Sequence, residues 1–210
     1  MFLSRLTLSP DSRRVWAEIA NPYEMHRTIM SAFPPNLEGF EERVLFRVDQ
    51  LKTPNRICLL IQSLNRPHWP ESLVEDYLAE KPEIREFEPV FATGMQFHFR
   101  LRANPTFKRN GKRLAWFAEE GQLAWLARKG EASGFRVCSV VVIEEPEALA
   151  RKGNGSQLID ITMFAVRFEG QLVVTDPARF SRTMKLGIGS GKGLGFGLLS
   201  LSRSGGREVQ

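Results

Sequence analysis

Three side chains between positions 23 and 27 carry the means for proton transfer and charge neutralisation: Tyr23, His26 and Arg27, within Asn21-Pro22-Tyr23-Glu24-Met25-His26-Arg27. A phenol and an imidazole pass protons, and a guanidinium holds developing negative charge. Tyr23 and His26 stand three apart and Tyr23 and Arg27 four apart, which on a helix makes them surface neighbours. The sequence supplies that helix. Asn21 can cap it, Pro22 fits its first turn, and Glu24 stands three residues after the cap, where a capping box places a carboxylate. At about 100° per residue, Met25, Ile29, Ala32 and Phe33 fall on one packing face. His26 then lies at the edge of that face, Tyr23 and Arg27 farther round on the open side, and Pro34-Pro35 ends the helix. The patch is expected near the positive end of the helix dipole. From local pattern alone a histidine near a helix start is most often an ordinary surface or boundary residue, so the rest of the chain has to decide.

Such a helix needs a sheet behind it. Met1–Leu8 reads as a strand, and Asp11 to Ala20 leads into the helix. Val44 to Val48 and Ile57 to Leu64 read as strands joined through the turn-rich Lys52-Thr53-Pro54-Asn55. Glu71 to Leu78 reads as a short acidic helix, followed by Phe87 to Val90 and a turn at Gly94. The order β-α-β-β-α-β is that of a ferredoxin-like unit. From Met95 the order repeats. Phe97, Phe99 and Leu101 alternate with His98, Arg100 and Arg102, the period of a half-buried strand with a basic outer face. A helix over Glu119 to Lys129, strands over Phe135 to Glu144 and Leu158 to Phe168, a hairpin tip at Arg151-Lys152-Gly153-Asn154-Gly155, and an extension over Leu172 to Thr175 follow. Asp176-Pro177 starts a helix reaching about Lys185, and Phe196 to Leu201 forms the last strand. The expected fold is therefore α+β, with two tandem ferredoxin-like (RRM-like) βαββαβ domains over 1–90 and 91–210.

The 210 residues suffice for either one large domain or two small ones, and no apolar run approaches the roughly 20 residues of a membrane span. The amino terminus lacks the pattern of a secretory leader, and Cys58 and Cys138 lie in apolar strand-like runs that suit reduced core thiols. A cytoplasmic protein without membrane contact is the expectation. A net charge of +5 leans toward an anionic partner. Its distribution is more telling: Arg100, Arg102, Lys108, Arg109, Lys112 and Arg113 form one acid-free run, while Arg179, Arg182, Lys185, Lys192, Arg203 and Arg207 lie in another. Acidic residues concentrate between Glu71 and Glu88. This segregation points to one basic surface.

Arg100 to Arg109 combines a strand, a turn, cations and Phe107, which fits phosphate contacts with a stacked base, or alternatively a solvated basic loop. The segment from Gly187 to Gly197 is unusually rich in glycine but matches neither phosphate-binding fingerprint. Gly193 follows Lys192 where a P-loop needs serine or threonine, and the Rossmann spacing fails. It is read either as a cradle of bare amides around Lys192 or as a tight packing turn. The three histidines, His26, His68 and His98, have no partners at ligand spacing, so no metal and no cofactor are expected. No acyl-transfer signature is present either.

Asn21 to Arg27, the run Phe99-Arg100-Leu101-Arg102-Ala103-Asn104-Pro105 and the glycine-rich segment through Ser200 together resemble the CasE family, the CRISPR RNA-processing endoribonucleases of the type I-E Cascade complex. The resemblance covers essentially the whole chain. It implies two ferredoxin-like domains that bind the hairpin of a CRISPR repeat, cut at its 3′ base without a metal, and remain on the product beside other Cascade subunits. It also implies an acid/base role for His26 with Tyr23 orienting or sharing the proton, charge stabilisation by Arg27, and contact of Arg151 and Lys152 with the RNA stem. Some members carry a lysine five residues after the histidine; here that position is Ser31, and Lys192 is a candidate replacement. Two other readings compete: a non-catalytic RNA-hairpin-binding subunit, and a small-molecule nucleotide enzyme built on the glycine-rich loop.

Overall fold

Asn21 joins two helices, because it ends α1 (Arg13–Ala20) and begins α2 (Pro22–Met30). The segment expected only to lead into α2 is thus a helix in its own right, capped by the Ser12 hydroxyl, which accepts the Val15 N–H. Pro22 opens α2 as expected, its fixed φ suiting the first turn. The capping box does not form. Asn21 makes no side-chain cap, and the Glu24 carboxylate accepts from Arg27 at 2.9 Å.

The computed structural model describes residues 1–35, 43–50, 56–154 and 157–203. The expected turn at 52–55, the Gly155 tip residue and Arg207 lie outside them. By packing, the chain forms two compact units. The first comprises Met1–Glu88, Ala148–Thr162 and Lys192–Gly195, and the second comprises Pro89–Glu147, Met163–Gly191 and the chain from Phe196 onward.

In the first unit, β1 (Phe2–Leu8), β2 (Leu45–Gln50), β3 (Ile57–Ser63) and β4 (Glu83–Glu86) form a sheet in the order β2-β3-β1-β4. β1 pairs antiparallel with β3 and β4, and β2 antiparallel with β3, with Leu6 opposite Leu59 and Val48 opposite Leu59 on the other side. β3 is buried along its whole length, as a central strand rich in Ile and Leu must be. The last strand lies at Glu83–Glu86 rather than Phe87 to Val90. An edge strand needs little apolar surface, and Pro89 offers no N–H to a ladder. Helix α3 (Glu71–Asp76) precedes it, shorter than expected. Met25 and Ile29 of α2 join Leu6, Phe46, Leu59 and Tyr77 in the core. Burying two such side chains contributes about 1.5–3 kcal/mol each, which fixes the rotation of α2 about its axis.

The second unit repeats the pattern. β5 (Gln96–Ala103), β8 (Phe135–Asn154), β9 (Gln157–Val174) and β10 (Leu199–Arg203) adopt the order β10-β5-β9-β8, the same as the first sheet read from its β4 edge. With α4 (Glu119–Ser133) and α5 (Pro177–Leu186), this gives two βαββαβ units of α+β class, as the element order predicts. The second carries an insertion, the two-stranded hairpin of β6 (Thr106–Arg109) and β7 (Lys112–Ala115). Its turn residues, Asn110 and Gly111, both have positive φ, the pattern of a type I′ turn. Asp176 caps α5 by accepting the Arg179 N–H at 3.0 Å. The final strand begins at Leu199, since Lys192–Leu194 takes up a single 3-10 turn. Cys58 is buried and its thiol pushed up to about 11 by desolvation, but Cys138 is exposed on β8, contrary to its expected place in a core. Among the described residues no helix is long and apolar enough to cross a membrane.

Candidate active site

The packing of α2 leaves Tyr23 and His26 half-buried and Arg27 exposed, and the 3-10 turn that begins at Lys192 lies against the helix. The His26 ring rests near Phe46 of β2, with ring centroids 6.2 Å apart. Gly193 faces the imidazole. A Cβ built on it would lie 3.5 Å from Cδ2 and 3.6 Å from Nε2 of His26. Glycine at this position therefore keeps one side of the ring uncovered, a reason unrelated to backbone freedom. Desolvation pulls the His26 pKa below its ordinary 6.5, so the neutral imidazole, which can accept a proton, is favoured near pH 7.

The hairpin tip reaches this patch. Lys152 Nζ lies 5.8 Å from the centroid of the Tyr23 ring, within cation–π range. The tip is held there by Asn21, whose side-chain amide donates to the Arg151 carbonyl at 3.2 Å and accepts the Arg151 N–H at 3.0 Å. The Asn21 amide therefore serves as a clamp on a distant strand instead of capping its helix. Arg151 itself turns its guanidinium to Asp160, 2.7 Å away. Arg27 pairs with Glu24 on the exposed side of α2. Ser31 donates its hydroxyl to the Thr28 carbonyl at 2.7 Å. Behind the patch, Glu18 of α1 accepts from Thr28 of α2 at 2.8 Å, from Tyr77 at 2.7 Å and from Arg14 at 2.8 Å. This buried network locks α2 against α1 and was not anticipated from sequence. Its partners lie up to 59 residues apart.

Of the residues singled out in the sequence, Tyr23, His26, Arg27, Arg151, Lys152 and Lys192 all fall in the first unit. The others belong to the second. Arg100 pairs with Glu169 at 2.8 Å and Arg102 with Glu145 at 2.6 Å, while Arg167 lies 3.3–3.4 Å from both acids. Arg102 also covers the Phe196 ring at 4.4 Å. The basic face of β5 is thus tied to carboxylates of the same sheet. Lys108, Arg109, Lys112 and Arg113 stand exposed on the β6–β7 hairpin. The glycine-rich segment is mainly a tight packing turn: Ile188 donates to the Gly197 carbonyl, Gly197 donates to Arg102, and a Cβ on Gly197 would meet the Ile188 oxygen at 2.6 Å. Among the described residues no three His, Cys, Asp or Glu side chains gather as metal ligands would.

Residues 1–203 match the model of the family described as CRISPR associated protein. The chain belongs to that family. This CRISPR-associated protein is 36% identical, over 96% of its own length and all of the relative's, to the CRISPR-associated endoribonuclease Cse3 of Thermus thermophilus. It is 30% identical to the CRISPR system Cascade subunit CasE of Escherichia coli, over 96% of this chain and 99% of that one. Its fold is similar to that of the CRISPR endoribonuclease Cse3 bound to 19 nt RNA, with a TM-score of 0.85, 37% identity, and coverage of 96% of this chain and 100% of the other.

Proposed function

We propose that this CRISPR-associated protein is an endoribonuclease that binds the hairpin of a CRISPR repeat and cuts precursor RNA at its 3′ base, by attack of the adjacent 2′-OH and without a metal. The observation that carries the reading is His26: an imidazole kept neutral by burial and faced by a glycine, three positions along the same helix from a phenol that the Lys152 ammonium covers. His26 accepts the proton of the 2′-OH as its oxygen bonds to phosphorus. The P–O5′ bond breaks, and the leaving oxygen takes a proton relayed through the same pair with Tyr23. The products are a 2′,3′-cyclic phosphate and a 5′-hydroxyl. Lys152, and Arg27 once released from Glu24, offset the charge that grows on the phosphorane. Lys192, next to Gly193, is a further cation for the strand. Arg151, Lys108, Arg109, Lys112 and Arg113 supply phosphate contacts, with A-form shape rather than base edges read along the stem, while Arg100 and Arg102, expected from sequence to join them, stay paired with Glu169 and Glu145. Kinship with a Cascade subunit supports retention of the product within a multisubunit complex in the cytoplasm.

Incubation with repeat RNA in EDTA tests this. Cleavage is expected to persist, to vanish when the 2′-OH at the cut is replaced by hydrogen, and to leave a cyclic phosphate detectable by mass. Loss of cleavage in EDTA, or equal cutting of the deoxy substrate, would overturn the mechanism.

A further inference from the structure

In the second unit, the end of β5, the β6–β7 hairpin, α4 and the start of the glycine-rich loop enclose a cavity of about 440 Å³. Four cations line it, Lys108 and Arg113 from the hairpin and Arg128 and Lys129 from α4, and no acid does. None of the four forms an ion pair among the described residues. This contrasts with Arg100 and Arg102, which are neutralised by acids of their own sheet. Like charges left unpaired around one concavity repel one another until an anion enters.

The walls are aromatic and rigid. Trp125, buried, stacks on Phe168 with ring centroids 6.2 Å apart and planes 13° apart, and Gly189 lies where a Cβ would come within 3.2 Å of its indole. Phe107 is backed by Trp116 at 4.3 Å between centroids, which holds its ring in place at the cavity edge. Asn104, 6% exposed, also lines the cavity and has a buried side-chain oxygen with no hydrogen-bond partner among the described residues. Cations for a phosphate, a fixed ring for a base, and a volume in the range of small-ligand sites match one nucleotide. A paired base enters such a recess only at the cost of unstacking and unpairing, whereas an unpaired one avoids the unpairing cost.

We infer that this cavity binds one unpaired nucleotide of the RNA flanking the hairpin, its phosphate among Lys108, Arg113, Arg128 and Lys129 and its base against Phe107. The inference rests on RNA being the substrate, as proposed above. It adds a recognition element outside the unit that carries Tyr23 and His26, and it explains why a basic hairpin is inserted between β5 and α4.

The test compares the intact protein with an Arg128→Gln/Lys129→Gln variant. Fluorescence anisotropy is read on two uncleavable RNAs, a repeat hairpin trimmed flush with its stem and the same hairpin carrying unpaired nucleotides on either side. A flank on one side is expected to tighten binding by the unaltered protein about tenfold. The variant should lose most of that gain while binding the flush hairpin within about twofold, and its salt slope on the flanked RNA should fall by roughly 0.7 per lost phosphate contact. If the flank adds nothing while the flush hairpin binds, the inference falls and the RNA reading stands. Equal weakening toward both RNAs would assign the cavity to the stem and overturn it. Unchanged RNA affinities with weakened binding of a poly-glutamate peptide would assign the cavity to a protein partner instead. Failure of either RNA to bind overturns the RNA reading, and the inference with it.

Discussion

Replacing Asn21 by alanine removes both hydrogen bonds that hold the Arg151 backbone, at 3.2 and 3.0 Å, without deleting a helix cap, because the Asn21 side chain makes none. Each bond is solvent-accessible, so each contributes toward the lower end of the usual range, about 0.5–1 kcal/mol, and the pair about 1–2 kcal/mol. If that free energy holds Lys152 over Tyr23, its loss lowers the population of the docked tip, and the cleavage rate with it, by roughly 5- to 30-fold. Asn21→Asp keeps the acceptor for the Arg151 N–H and loses only the donor, so its rate should fall between the two. Single-turnover cleavage of repeat RNA at saturating protein reads the effect free of binding, and thermal unfolding should move by only a few degrees. An Asn21→Ala variant that cleaves at the unaltered rate would refute the claim that the clamp positions the tip for chemistry. A variant that unfolds at much lower temperature would show that the clamp serves the fold.

Gly193→Val is expected to fold, since a Cβ at this position meets only ordinary contacts, but to cover the imidazole; cleavage should drop at least 100-fold while RNA affinity changes little. The pH profile of kcat/KM should rise with pH through the free-enzyme pKa of His26 with its midpoint below pH 6.5, because burial lowers that pKa and the neutral ring is the base; a midpoint above pH 6.5 contradicts this. The same group makes folding stability rise as pH increases through the window between the depressed pKa and 6.5, a slope that His26→Ala should abolish in denaturant titrations. Tyr77→Phe removes a donor from the buried Glu18 carboxylate and should cost about 1–3 kcal/mol in urea unfolding, lowering the melting temperature by several degrees. Conserved m-values would confirm that the loss is in the native state.

Helix α2 is legible because its signals are local: proline at the first turn, an apolar face at helical spacing, and a β-α-β-β-α-β order that both sheets obey. What escaped was long-range. Asn21 looks like a cap until Arg151, 130 positions away, claims its amide, and Glu24 looks like half of a capping box until Arg27 takes it. The charge on β5 reads as a free basic face because Glu145 and Glu169, its partners, lie on strands whose register no local pattern reveals. The β6–β7 hairpin is a different failure. Its Asn110-Gly111 turn was visible in the sequence, but six cations between Arg100 and Arg113 drew the reading toward a loop. Helix α1 is hard to read although Ser12 stands at its start and five of its residues are apolar, since it spans only eight residues and runs straight into α2.

Because the first unit draws on Ala148–Thr162 and Lys192–Gly195 as well as on Met1–Glu88, its order in space is not the order in which a ribosome makes it. Tyr23 and His26 emerge early, but Lys152 and Gly193 follow long after, and at about 5–20 residues per second the interval between His26 and Gly193 lasts roughly 10–30 s. A nascent or prematurely ended chain therefore displays the imidazole without the cation or the turn that frames it. If these residues act together as proposed, cleavage waits for Gly193, by which time the basic hairpin of the second unit has already been made. A site assembled from such distant segments cannot be completed on a chain that stops before Gly193.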